Sequence, residues 1–268
     1  MQDNANKILE THQTSDGVLR LLLNDPKNKN ALSDKMMMHL KEKLFNASTD
    51  NSIKVIIIAA VGDVFCSGHN LKELTDARGN EDHGESYFLD LFNLCSSLMK
   101  MIISCSKPVI AEINGVATAA GCQLVASCDL AIASDSSKFA TPGVNIGLFC
   151  STPMVALSRN VSKKDSMKML LTGDMIDAEE AKRISLINDH VSADKLNSSV
   201  MSLAKKIASK PFSTVKIGKD AFYRQYEMSL TEAYEFTSKV MTDNSLSDDA
   251  KEGIASFLEK RNPVWKND

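Results

Sequence analysis

A chain of 268 residues with 43% hydrophobic content is long enough for one large domain, or for one domain with a smaller appendage. Its formal net charge of -3 balances 31 basic against 34 acidic side chains, which gives no reason to expect nucleic acid or a membrane surface as a partner. No apolar run approaches the ~20 residues that span a bilayer, and 24% charged residues alongside several apolar runs exclude overall disorder.

The polar start, residues 1–7, has neither the apolar core of a signal peptide nor the Arg-rich pattern of a transit peptide. This leads to the expectation of a reducing, soluble compartment: the cytoplasm, or the mitochondrial matrix if a transit peptide has been trimmed. Two short apolar runs within residues 8–23, separated by Ser15, Asp16 and Gly17, predict a β-hairpin. Asp25, Pro26, Lys27 and Asn28 mark a turn, and Ser33 is placed to cap a helix from Asp34 to about Asn46. Residues 55–60 form a continuous apolar run rich in isoleucine, the signature of a buried strand. Another strand enters at residues 107–111, and between the two, residues 87–103 carry apolar side chains at helical spacing. Residues 115–128, small and apolar, predict a tight turn entering a buried helix, and residues 130–133 a further strand. This alternation up to about residue 150 predicts an α/β fold. From Thr152 onward the pattern predicts helices with short connections; Asp177 is an N-cap, and residues 195–260 are amphipathic and all-helical.

Thirteen methionines, with a run at Met36, Met37 and Met38, fit either an adaptable ligand pocket or gap-filling core. The six cysteines, Cys66, Cys95, Cys105, Cys122, Cys128 and Cys150, form no CxxC pair and no zinc-type cluster with histidine. Free thiols acting as small buried hydrophobes are expected, and no metal site.

Five blocks in order carry a resemblance. They are residues 25–32 (DPKNKNAL), 64–74 (VFCSGHNLKEL), 107–129 (from KPVI through NG and AAGCQL to CD), 171–181 (LTGD with AEEA) and 257–261 (FLEKR). Together they resemble the crotonase (enoyl-CoA hydratase/isomerase) superfamily; within it, residues 117–123 (ATAAGCQ) and 147–153 (GLFCSTP) resemble the enoyl-CoA hydratase domain-containing proteins. The resemblance implies a ClpP/crotonase-like spiral of ββα units over residues 1–200, then a helical assembly region over 201–268. It also implies a homotrimer, or a hexamer of two trimers. The expected ligand is an acyl-CoA thioester, with no cofactor beyond its CoA moiety.

The shared chemistry of that family stabilises an enolate-like thioester oxygen with two backbone N–H groups. The resemblance places these donors at His69 and Ala120, with the small neighbours Gly68, Ala119 and Gly121 allowing close approach. A helix starting near Ala120 would favour the developing charge by a few tenths to ~2 kcal/mol. The resemblance further assigns CoA contacts to Lys27, Asn28 and Lys29, then to Cys66, Ser67, Gly68, Asn70, Leu71 and Lys72. Lys260 and Trp265 would reach CoA from a neighbouring subunit; as a tail residue, Trp265 is equally suited to anchoring its own chain.

The sequence departs from the hydratases at two points. Where they carry a glutamate after the Gly-Cys pair, this chain has Gln123; where they carry one after the next proline, it has Gly143. Each missing acid or base costs ~10²–10⁴ in rate, so ordinary hydratase activity is expected to be very weak. His69, Asn145, Ser151 and Cys150 are candidate substitutes, whereas Glu112 and Asp129 read as structural. Two functions stay open: an acyl-CoA lyase or isomerase working through the oxyanion hole, and a non-catalytic acyl-CoA binding protein.

Overall fold

The structure is a computed structural model that describes residues 8–266. The polar segment 1–7 lies outside the described residues. A hairpin opens the chain, β1 (Leu9–Gln13) and β2 (Val18–Leu23), turning at Gly17 as predicted. Ser33 caps α1 (Asp34–Thr49), its hydroxyl accepting from Met36 N. The helix buries Met36, Met37, Leu40, Leu44 and Ala47, an i, i+3/i+4 stripe, and leaves Met38 exposed. Met36 and Met37 of the methionine run therefore fill core, and Met38 does not.

Next come β3 (Val55–Ala60) and β4 (Val64–Cys66), then α2 (Leu71–Ala77) and α3 (Glu85–Ser104). The pattern repeats with β5 (Val109–Ile113), β6 (Val116–Thr118) and α4 (Ala120–Ser127). It repeats again with β7 (Leu130–Ser134) and β8 (Lys138–Ala140), followed by α5 (Pro153–Leu157) and α6 (Lys163–Thr172). The first strand of each pair joins a six-stranded sheet, β1-β2-β3-β5-β7-β10, with β10 at Asp189–Val191; the second joins a four-stranded sheet, β4-β6-β8-β9, with β9 at Ile176–Asp177. This stepping of ββα units along two sheets is the predicted spiral. β3 explains its unbroken apolar run: Ile56 and Ile58 face one core, Val55, Ile57 and Ala59 the other, so both faces are buried.

The structure corrects several sequence expectations. Residues 116–118 are a strand, not part of the turn before α4, and β4, β8 and α2 carried too few residues for a periodic signal. The region after Thr152 also contains β9 (Ile176–Asp177) and β10 (Asp189–Val191), flanking α7 (Ala178–Arg183), whose N-cap is Asp177 as expected. The expected domain boundary at residue 200 falls inside α8 (Ala193–Ala208), whose Leu196, Val200, Ala204 and Ala208 all pack against the large sheet. The core therefore extends to the end of that helix.

Three helices follow: α9 (Phe212–Gln225), α10 (Leu230–Ser245) and α11 (Asp248–Leu258). Buried polar bonds tie α9 to the core. Lys219 Nζ donates to the carbonyls of Ile102 and Lys107, both at 3.0 Å, and to Asp129 at 2.7 Å, while the Tyr223 hydroxyl donates to Asp129 at 2.9 Å. By contrast α10 buries no residue and leaves Leu230, Tyr234 and Met241 exposed, with Phe257 and Leu258 of α11 beside them in exposure.

Candidate active site

A cavity of about 450 Å³ lies where the small sheet meets α2, α3 and the loop after β8. Its wall is mainly apolar: Leu71 and Leu74 from α2, Phe92 from α3, and Ile146, Leu148, Phe149 and Pro153 from the loop and the start of α5. Ser67, His69, Asn145, Ser151 and Thr152 bring polar atoms to it, and Ala119 and Ala120 complete it. A larger surface groove of about 580 Å³ between β1 and α1 contains none of the sequence-predicted site residues.

Local chemistry explains why segments far apart in sequence meet here. Leu32 N donates to Gly68 O at 2.8 Å, and Ser67 N donates to Lys29 O at 3.2 Å. Buried Asn30 fixes this lacing: its amide donates to the carbonyls of Val61 (3.0 Å) and Val64 (2.7 Å), and its oxygen accepts from Asp25 N (2.8 Å). The Thr118 hydroxyl donates to Ser67 O at 3.1 Å, drawing β6 to the same turn. Gly68 has φ 93°, and a Cβ there would lie 2.9 Å from Ala119 Cβ and 3.2 Å from Ala120 N. A Cβ on Gly121 would lie 2.1 Å from the Cys66 carbonyl oxygen. Only glycines permit this contact between the β4 turn and the first turn of α4.

His69 and Ala120, the residues expected to supply the donors, both line the cavity. Among the described residues neither the His69 nor the Ala120 backbone N–H donates to another backbone group, and Ala120 is the first residue of its helix, where N–H groups have no partner within the helix. No sequence pattern signals the conformation of Ala119. It turns from β6 into α4 with φ 51° and ψ -119°, a region that costs an L-residue about 1–3 kcal/mol.

No charged side chain lines the cavity among the described residues. His69 lines it as a residue; its ring lies edge-on to Phe92, centroids 5.6 Å apart, and its Nδ1 lies 3.4 Å from Leu32 O. Burial outweighs the Leu32 bond and the Asp34 charge, and pushes the imidazole below its ordinary pKa. Cys150 also lines the cavity, but burial pushes its thiol up, which removes it as a nucleophile at neutral pH. Cys66 lies behind the wall with its thiol pushed up to about 12 by burial.

The two positions at which glutamates were expected to be missing, Gln123 and Gly143, differ from each other. Gln123 does not line the cavity; it is buried one turn along α4, where its side-chain oxygen faces the Cys95 thiol at 3.8 Å. Gly143 does line it, but a Cβ there would lie 2.6 Å from Leu148 O and 2.9 Å from Cys150 Sγ. The loop has closed over the space that a carboxylate would need.

Of the residues expected to contact CoA, Ser67 and Leu71 line the cavity, and Lys29 is bonded to its rim through Ser67. Lys27 and Asn28 are exposed on the adjoining turn, where Asn28 donates to the Asp25 carboxylate. Asn70 caps α2 by accepting from Lys72 N at 3.0 Å, with Lys72 exposed beside it. Lys260 and Trp265 do not line the cavity. Trp265 Nε1 donates to Ser209 O at 3.1 Å and its ring packs on Gly253, so within its own chain Trp265 anchors the tail. Glu112 and Asp129 are structural as expected: Glu112 pairs with Arg20 at 2.5 Å on the α8 side of the large sheet. Sequence reasoning did not assign Leu74, Phe92 or the apolar 146–149 segment to the cavity wall.

Residues 13–268 match the model of the enoyl-CoA hydratase/isomerase family. The chain is 49% identical over 253 residues to enoyl-CoA hydratase domain-containing protein 3, mitochondrial, of Xenopus laevis, covering 94% of this chain and 84% of that protein. It is similar in structure to human enoyl-coenzyme A hydratase domain-containing protein 3, with a TM-score of 0.92, 47% identity, and 97% of this chain and 100% of that one covered. It is also similar to an enoyl-CoA hydratase of Mycobacterium smegmatis, with a TM-score of 0.93, 42% identity, and 97% and 99% covered. The cavity, the two-sheet spiral and these likenesses agree: the chain belongs to the enoyl-CoA hydratase/isomerase family, within the crotonase superfamily.

Proposed function

We propose that the cavity holds the acyl part of an acyl-CoA thioester, its carbonyl oxygen between the backbone N–H groups of His69 and Ala120. The observation that carries this reading is the contact of the Gly68 turn with the first turn of α4, at the cavity wall. Two converging N–H donors stabilise charge that develops on that oxygen. The CoA moiety leaves past Ser67, Gly68, Asn70 and Leu71 toward Lys27, Asn28, Lys29 and Lys72, where ammonium groups meet phosphates. No further cofactor is required. The apolar side chains exposed on α10 and α11 favour assembly into a homotrimer or hexamer, in which Lys260 and Trp265 of one subunit approach the CoA of another. The mitochondrial name of the Xenopus relative favours the matrix over the cytoplasm.

Ordinary hydration is not the reaction this site favours. Gln123 faces Cys95, and Gly143 has no room for a longer side chain. These same observations favour a second reading, a non-catalytic acyl-CoA binding protein that retains the pocket. A panel of CoA thioesters incubated with the purified protein and followed by mass spectrometry separates the two. Turnover that disappears in Ala120→Pro, which deletes one N–H at a helix position that tolerates proline, supports the enzyme. Tight binding without turnover supports the binding protein, and absence of binding rejects both. Hydration of crotonyl-CoA is expected to lie at least about 10²-fold below that of a glutamate-bearing relative; equal rates would reject the assignment of Gln123 and Gly143.

A further inference from the structure

The loop after β8 turns back on itself and gives the cavity much of its apolar wall. After the short helical turn Pro142–Ile146, Gly147 takes a left-handed conformation with φ 77°, and Leu148 N donates to Gly143 O at 2.9 Å. A side chain on Gly143 would meet the Leu148 carbonyl and the Cys150 sulfur, so the loop closes only because this position has none. Closure brings Ile146, Leu148 and Phe149 to the wall with 59%, 47% and 42% of their surface still exposed. Polar groups of the same loop bond or pack within the protein. The Ser151 hydroxyl donates to Phe149 O at 3.4 Å, and Asn145 Nδ2 stands 3.0 Å from the place a Cβ on Gly173 would take, at the end of α6. The wall therefore combines half-exposed apolar side chains with no charged side chain among the described residues. Its volume of about 450 Å³ is that of a site enclosing a whole ligand rather than a two-carbon stub, since such sites span roughly 300–1,000 Å³.

We propose that Ile146, Leu148 and Phe149 are the specificity-determining residues of this site, selecting a hydrocarbon acyl chain of octanoyl length or longer over short chains and over chains that end in a carboxylate. This rests on the acyl-CoA reading above and names the substrate class within it. Apolar side chains left in water at a cavity wall are surface that a hydrocarbon ligand covers, and the driving force grows with the apolar area removed from water. A butyryl tail reaches little of that surface. Each further methylene that leaves water adds up to ~4-fold in affinity, until the chain has covered the wall. A terminal carboxylate gains nothing there: it loses its hydration and finds no cation among the lining residues. Gly143 thus has two consequences. It leaves no side chain where the resemblance expects a second acid, and it lets the loop put apolar side chains at the same wall.

The test is calorimetric binding of butyryl-, hexanoyl-, octanoyl- and adipyl-CoA to the whole chain, at concentrations below micelle formation. Octanoyl-CoA is expected to bind ~10–10²-fold more tightly than butyryl-CoA. Adipyl-CoA, with the carbon number of hexanoyl-CoA, is expected to bind at least about 10-fold more weakly than it. Leu148→Asn and Phe149→Ser change exposed side chains and are expected to keep the fold, while the octanoyl-to-butyryl affinity ratio falls about 10-fold. Leu171→Asn, at another exposed leucine, on α6 and outside the cavity wall, is expected to keep the wild-type ratio. Equal affinity for butyryl- and octanoyl-CoA would overturn the proposal, as would adipyl-CoA binding as tightly as hexanoyl-CoA. An unchanged ratio in both loop variants, or an equal fall in Leu171→Asn, would also overturn it. Absence of binding by every thioester in the series would reject the acyl-CoA reading itself, whereas binding without dependence on chain length rejects this proposal alone.

Discussion

At residue scale, Gly121 shows how little freedom the site allows. A methyl group there would sit 2.1 Å from a backbone oxygen on another element, and neither backbone can yield cheaply. Gly121→Ala is therefore expected to cost about 3 kcal/mol, at the upper end of overpacking, seen as a lower melting temperature. Gly143→Glu places a carboxylate at the position proposed for the second acid but must displace Leu148 and Cys150. It is expected to lower the melting temperature without raising crotonyl-CoA hydration, and a gain in hydration would contradict the closed loop. His69 also links the site to pH. Its folded-state pKa lies below the unfolded value, so between the two the unfolded chain binds more protons. Stability therefore falls as pH drops below the ordinary imidazole value. His69→Gln is expected to flatten that part of the stability profile, measured by urea unfolding between about pH 7 and 5.

At the scale of elements, the link between α9 and the core is a buried polar cluster. Lys219 satisfies two carbonyls and Asp129, and Asp129 in turn also accepts from Tyr223 and from Val109 N at 2.6 Å. Lys219→Met would leave a largely buried carboxylate without its cation. The expected loss is about 3–5 kcal/mol, with faster hydrogen exchange in α9 than in α8. This network was not legible in the sequence, because its members lie about ninety residues apart and each is an ordinary residue in its own helix or turn. The Ser33 and Asp177 caps were legible, since a cap and the N–H it serves lie within three residues.

At the scale of the whole molecule, Leu230, Tyr234, Met241, Phe257 and Leu258 of the C-terminal helices are exposed among the described residues, an apolar surface that calls for a partner. We propose that copies of the chain supply it; light scattering is expected to give a mass that is a multiple of 29.3 kDa, and a monomer would contradict this. The sequence by itself determined the β-hairpin, the strand at residues 55–60, the first long helices, the five family blocks and the absence of acids at positions 123 and 143. Such features are written in backbone periodicity, in capping chemistry and in residue identity, all of which act over a few neighbours. Only the tertiary structure decided which way side chains face: Gln123 toward Cys95, Met36 and Met37 into the core, and Trp265 onto its own chain. Those choices depend on close approach between distant segments, Gly68 against Ala120 and Gly143 under Leu148, where excluded volume rather than local preference sets the outcome.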